Sequence, residues 1–265
     1  MLSSRYLIDL TQPEIAGQFA SNPLVILPAG SVEQHGPHLP AGTDIFAATA
    51  IAHAVAERMD GLVLPGGPLG ITPLHMGFEA TITLSPDTYM RVVKETCASA
   101  AVHGAKRLLV LNWHEGNIAS LALAADALHR EHGMSVLTVQ ACYVAEELFG
   151  PSCNGLTHGG EIEALAVLAH RPELVHLDRI GDSSDHQHGR RMDSLRRTRA
   201  YQPVLSDVRT IAPTGWYGSP QRATREHGLR MVGEVADAIA RQATAIFAQL
   251  ELIQGGVGEL RGLAT

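Results

Sequence analysis

The sequence predicts an α/β fold, a mainly parallel sheet carrying helices on both faces. Two observations predict it. Short apolar runs alternate along the chain with helical patterns of ten or more residues. Connections of that length bring the next strand back parallel to the last. A third observation is bulk: 265 residues, 45% hydrophobic and 18% charged, can bury a substantial core.

The elements follow in order. LVIL (24–27) is a buried strand ending at Pro28-Ala29-Gly30. IFAATAIAHAVAERM (45–59) is alanine-rich, with apolar residues at helical spacing, and GLVLP (61–65) is the next strand. Ser85-Pro86-Asp87 starts a helix with a capping Ser and a first-turn Pro, and that helix runs to Gly104. KRLLVLN (106–112) is a strand with four consecutive apolar residues behind two charges. IASLALAADALHREHG (118–133) is a helix, SVLTVQACY (135–143) a strand, and GEIEALAVLAH (160–170) a helix. A last long helix occupies roughly 222–250, and the polar, basic stretch 181–210 is an excursion from the sheet. With no repeat, low-complexity tract or dividing linker, residues 1–265 read as a single domain.

Composition excludes several classes of function. The net charge of -7 provides no basic surface for nucleic acid. No apolar run approaches the ~18 residues of a membrane span. The N-terminus has no signal-peptide pattern, and the three Cys are too few and odd in number for a disulfide framework. A cytoplasmic protein acting on a small molecule is expected.

The chain holds 14 His. His53, His129, His132 and His170 lie on or beside helical patterns and read as solvated or partly packed. Three segments gather His with carboxylates, and each is expected beyond a strand's carboxyl end, where such sheets bind ligands. In SVEQHGPHLPAGTD (31–44), Glu33 and His35 alternate, so an extended backbone points both the same way. Asp44 closes the segment just before a helix, where a plain N-cap role competes with a ligand role. Carboxylate and imidazole without thiolate suit Zn, Mn or Fe(II), and one carboxylate can bridge paired ions about 3.5–4 Å apart. In NWHEGN (112–117), His114 sits at a polar strand-to-helix junction beside Glu115. The zincin pattern fails there, because Ile118 stands where the second His would be. In THGGEIE (157–163), His158 precedes a helix whose first turn holds Glu161 and Glu163. Capping and helix-dipole stabilisation of ~0.3–1 kcal/mol accounts for one of these acids and leaves the other for a site. His186 and His188 also alternate, but Arg190 and Arg191 follow and no strand end aims them, so they read as a solvated excursion.

LPAGSVEQHGPHLPAGTD (27–44) resembles the signature of the creatininase family of metal-dependent hydrolases. FEATITLS (78–85), NWHEGN, THGGEIEAL (157–165) and GWYGSPQRATREHG (215–228) follow in that family's order, so the resemblance spans roughly 23–240. It implies a three-layer α/β/α fold, a two-metal site, cytosolic life and a homo-oligomer, often a hexamer. Carried over, Glu33 and His35 bind one metal each, Asp44 bridges both, and His114 shares the ion of Glu33. Members acting on creatinine complete the second ion with a Glu two places after that His. Here that place is Gly116, and the acid after the His-Gly-Gly turn takes over, Glu163 in preference to Glu161. His158 matches the catalytic His that carries a proton to the leaving nitrogen. Trp113 and Glu115 replace two glycines of the family's Asn-Gly-His-Gly-Gly-Asn run. The loop PSCNGLT (151–157) lacks the tryptophans that cover creatinine, with Tyr143 and Phe149 the nearest aromatics, which speaks against creatinine as the substrate.

The expected activity is hydrolysis of an amide-type C–N bond in a small substrate, cyclic ones included. Water would be activated at two divalent ions, Zn(2+), Mn(2+) or both, with Fe(2+) an alternative. His158 is the expected proton donor. Glu163 or Glu115 would orient the water, and Trp113, His75 and Tyr143 would line the substrate. Relatives act on formylamino pyrimidines, peptide C-termini and a keto-inositol ring. The run Arg190, Arg191, Arg196, Arg197 and Arg199 would suit an anionic substrate or a solvated oligomer face. Two rivals depart further: Cys153 as nucleophile with His158 as base, and a metal binder without catalysis.

Overall fold

The computed structural model describes residues 2–181, 187–198 and 204–262, without the side chains of residues 193, 196, 197 and 254–262. Strands β1 (Leu24–Ala29), β2 (Leu62–Val63), β3 (Arg107–Asn112) and β4 (Ser135–Gln140) form one parallel sheet in the order β2-β1-β3-β4. β1, β2 and the middle of β3 are apolar on both faces because both faces are covered, whereas edge strand β4 is mostly half-buried and carries Ser135, Thr138 and Gln140. Leu24, Ile26, Leu109 and Leu111 enter one core with α2 (Thr43–Met59), α5 (Ala141–Phe149), α6 (Glu161–His170) and α8 (Arg225–Gly262). Val25, Leu27, Leu108 and Val110 point the opposite way, onto α3 (Pro86–Val102) and α4 (Ile118–His132). The result is the three-layer α/β arrangement expected.

The caps behave as the sequence implies. Ser85 Oγ accepts a hydrogen bond from the Thr88 amide at the start of α3, and α4 closes on Gly133 in the left-handed region. Differences are local. The run 135–143 is strand only to Gln140. Beyond it Ala141, Cys142, Ala145 and Phe149 share one face at helical spacing and bury as α5. An early helix, α1 (Gln12–Ser21), was not anticipated, although Thr11 and Glu14 form its capping box. Part of the basic excursion is helix α7 (Gln187–Arg197), and α8 runs beyond residue 250. Among the described residues no helix is long and apolar enough to cross a membrane.

Candidate active site

Ala29 of β1 pairs with Asn112 of β3, and Asn112 with Gln140 of β4, so the loops leaving these strands start side by side. A Cβ on Gly30 would collide with the Ile45 backbone, so only glycine lets the end of β1 touch the first turn of α2. That contact brings Asp44 over the strand ends. Asn117 ties the loops together, its Nδ2 donating to Gly30 O at 2.9 Å while its Oδ1 accepts from Ile71 N at 3.0 Å. The third segment, 157–163, reaches the same edge after α5 and its following loop rather than directly from β4.

Three carboxylates and three imidazoles converge there. His114 Nδ1 lies 3.0 Å from Asp44 Oδ2 and 3.4 Å from Glu33 Oε2. His35 Nε2 lies 3.3 Å from Asp44 Oδ1 and 3.6 Å from Glu163 Oε2. His158 Nδ1 lies 3.8 Å from Glu33 Oε1. The two oxygens of Asp44 thus serve two separate neighbourhoods, Glu33/Asp44/His114 and His35/Asp44/Glu163, each with its ligand-type atoms within 4.8 Å of one another. The competing view of Asp44 as a helix cap does not hold: Gly42 precedes α2, and the Asp44 carboxylate faces His35, His114 and the Ser31 hydroxyl, which donates to Oδ2 at 2.8 Å.

Each carboxylate is steadied by a hydrogen-bond donor from the chain. Besides Ser31 on Asp44, the Thr72 hydroxyl donates to Glu33 Oε2 and the Gly159 amide donates to Glu163 Oε2 at 2.6 Å. Gly159 needs its positive φ of 72°, and a Cβ there would meet Trp216 Cβ at 2.9 Å. Two imidazoles are anchored by one nitrogen and turn the other towards the carboxylates. His114 Nε2 donates to Ile71 O at 2.9 Å, and His35 Nδ1 to Glu33 O at 3.1 Å. This backbone anchoring is how proteins prepare histidine for a cation. His35 Nε2 is buried and, among the described residues, within no hydrogen bond, and Glu33, Asp44 and Glu163 are all at least nine-tenths buried.

The electrostatics point the same way. Burial depresses the His35 imidazole, but Asp44 and Glu163 outweigh it and raise it to about 10. For His114, burial is again outweighed, by Glu33 and Asp44, and the group rises to about 9. Burial opposes ionisation of Asp44 too, yet His35 and His114 hold it well below the usual carboxylate range. Burial pushes the Glu163 carboxyl up, with Asp44 adding to the shift and His35 opposing it. The pocket therefore attracts positive charge, which protons supply when no cation is bound. His158 differs: burial, with His35 and His75 acting the same way, lowers it well below its ordinary value, so it is neutral.

A cleft of about 720 Å³ opens beside the cluster and is lined by His75, Trp113, Glu115, Tyr143 and His158 among others. The Tyr143 hydroxyl donates to Glu115 Oε1 at 3.0 Å. Trp113 is buried, and among the described residues its indole N–H has no hydrogen-bond partner.

Several candidates separate on geometry. Glu161 turns away from the cluster, with Arg222 Nη2 3.6 Å from its Oε2. Cys153 is buried, burial raises its thiol, and it is not among the residues lining the cleft, so the cysteine-nucleophile rival loses its support. His38 is a prop: its Nε2 donates to Gly159 O at 2.8 Å while its ring meets Trp216 edge-on. His188 is exposed on α7, and Arg190 donates to Asn154 O. His186, Arg199 and the side chains of Arg196 and Arg197 lie outside the described residues. Sequence reading missed Ser31, Gln34, Thr72 and Tyr217, whose amide donates to His158 O at 2.9 Å. Gln34 carried one available signal, its place between Glu33 and His35.

A family model described as "Creatininase: Creatinine amidohydrolase" matches residues 8–243. A mycofactocin precursor peptide peptidase of Mycobacterium ulcerans (strain Agy99) is 33% identical over 227 residues, covering 81% of this chain and 82% of its own. A creatinine amidohydrolase of Pseudomonas putida is 31% identical over 270 residues, covering 91% and 98%. Among solved structures, a Zn-Zn type of a creatininase mutant superposes with a TM-score of 0.74 at 27% identity, covering 91% of this chain and 99% of that one. A structure titled "Creatininase Mn" superposes at 0.72 and 28% identity, with the same coverage. Matched along most of its length by family model, relatives and folds alike, the chain belongs to the creatininase family.

Proposed function

We propose that this hydrolase of carbon–nitrogen bonds cleaves an amide-type bond of a small substrate, cyclic ones included, with the help of two divalent cations. One observation carries the reading: Asp44 faces His114 with one oxygen and His35 with the other, each beside a further carboxylate. Glu33, Asp44 and His114 would hold one ion, and His35, Asp44 and Glu163 the second. The oxygen and imidazole donors suit zinc or manganese, with iron(II) the remaining choice. Two such ions lower the pKa of water from about 15.7 towards about 7 and polarise a carbonyl.

The chain's own groups handle the proton and the substrate. His158 donates from Nε2 to Gln34 O at 2.7 Å, which leaves Nδ1 bare and facing the cluster. A neutral imidazole in that position takes the proton of the attacking water and returns it to the departing nitrogen, which is too poor a leaving group without it. Glu115, held by Tyr143, orients water or a substrate N–H from the cleft wall. Trp113, Tyr143 and His75 line the substrate's place.

A second reading keeps the site and puts a peptide C-terminus in the cleft. The 33% identity to a peptide peptidase and the cleft of about 720 Å³ favour it. Formylamino compounds and a keto-inositol ring are the other chemistries to test. The experiment is a screen of lactams, formamides and short peptides with zinc- and manganese-loaded protein, beside an Asp44→Asn control. Full activity in metal-stripped protein would sink the reading. Retention of metal without turnover of any amide would instead favour a binder. We further propose a cytoplasmic homohexamer without nucleic-acid or membrane partners, which sedimentation velocity checks.

A further inference from the structure

We infer, building on the amidohydrolase reading above, that Gln34 divides the hydrogen-bonding roles of His75 and His158 by holding both as Nε2–H tautomers, donating to Nδ1 of the first and accepting from Nε2 of the second. At one oxygen of Glu33, His75 then presents an N–H and His158 a lone pair.

The orientation of the Gln34 amide is settled by two backbone groups. Gly36 N donates to its Oε1 at 3.1 Å, and its Nε2 donates to Gly215 O. A flipped amide would set oxygen against carbonyl and NH2 against N–H. One Nε2 hydrogen is thereby spent on Gly215, and the other points to His75 Nδ1 at 3.0 Å. His75 Nδ1 must accept, so its proton sits on Nε2, which faces Glu33 Oε1 at 3.6 Å.

For His158 the same residue supplies an acceptor instead of a donor, at the other ring nitrogen. His158 Nε2 lies 2.7 Å from the Gln34 backbone oxygen, which only accepts, so that nitrogen carries the proton. The 3.1 Å approach of Gln34 Nε2 to His158 Nε2 is then a contact between two donors. His158 Nδ1 is left bare, 3.8 Å from the same Glu33 Oε1. The two rings pack together with centroids 4.4 Å apart, so neither turns freely.

Gln34 is in these terms a positioning residue. His75 is a hydrogen-bond donor at the cleft, the kind of group that steadies charge growing on a carbonyl oxygen. It is not a second proton acceptor.

The test uses zinc-loaded full-length protein labelled with 15N-histidine, and long-range 1H–15N spectra that report which ring nitrogen bears the proton. His75→Asn and His158→Asn assign the two rings by difference. In the wild type, His75 is expected with Nε2 protonated and Nδ1 bare, and His158 likewise. In Gln34→Glu the carboxylate can no longer donate to Nδ1. His75 then moves its proton to Nδ1, while His158, bonded to a backbone oxygen, keeps its tautomer. A wild-type His75 protonated at Nδ1, or an unmoved tautomer in folded Gln34→Glu, overturns the inference. Should that variant not fold, the wild-type spectrum alone decides. The spectra do not depend on turnover, so a failed substrate screen would overturn the functional reading while leaving this one to its own result.

Discussion

Asp44→Asn is the substitution on which the two-ion reading stands or falls. The change is nearly isosteric, and Asn can still accept from the Ser31 hydroxyl at the position now 2.8 Å away. It removes the one group shared by both neighbourhoods, leaving Glu33 with His114 and His35 with Glu163. Free zinc at about 1,000 times its dissociation constant stabilises a folded protein by about 4.1 kcal/mol per site. Two sites therefore contribute about 8 kcal/mol. Losing a mere support of a ligand weakens metal binding 10–100-fold, so losing the ligand itself costs about 100-fold or more. Zinc then stands at about 10 times the dissociation constant and contributes about 1.4 kcal/mol per site. The difference, about 5 kcal/mol, corresponds to roughly 10–20 °C in the zinc-induced rise of Tm. The assay is thermal unfolding of stripped and zinc-loaded protein at fixed free zinc, beside metal analysis of the gel-filtered samples. Two bound ions and a wild-type zinc response in Asp44→Asn would refute the shared-ligand geometry.

Other expectations separate the roles within the site. Glu163→Gln should cost one of the two ions, whereas Glu161→Gln, which disturbs the pairing with Arg222 away from the cluster, should keep both on metal analysis. His158→Ala should retain zinc and lose about 10²–10⁴-fold in kcat. Loss of metal with that variant would instead make His158 a ligand. Trp113→Phe deletes a buried N–H that has no partner among the described residues, so thermal stability should hold or rise slightly while KM for the accepted substrate increases. An unchanged KM would remove Trp113 from the substrate's path. Gly30→Ala puts a methyl group into the Ile45 backbone and should lower Tm sharply, with metal affinity falling in the protein that still folds.

Much of this site lies within single stretches of chain. Glu33 and His35 alternate on one extended segment, and Asp44 follows across a Pro- and Gly-broken loop, so one motif of fourteen residues carries half the cluster. The choice between Glu161 and Glu163 was harder. Two residues apart on a helix lie on different faces, and which face met the cluster depended on how α6 packs against α2. The run 135–143 was misjudged at its end, where an apolar stretch carries too little periodicity to separate strand from helix.

The sequence alone determined the donor chemistry and the layering of the fold. Apolar runs of strand length between helical patterns commit the chain to a covered parallel sheet, and carboxylate with imidazole but no thiolate commits the loops to hard or borderline cations. Only the tertiary structure decided how those donors share their work. Asp44 divides its oxygens between two neighbourhoods because β1 and β3 end in register and Gly30 lets α2 start against them. The tautomers of His35, His75, His114 and His158 are set by Glu33 O, Gln34 Nε2, Ile71 O and Gln34 O. Gln34 and His158 are 124 residues apart. Which proton a histidine keeps depends on the atom placed opposite it, and for three of these four rings that atom comes from a distant part of the chain.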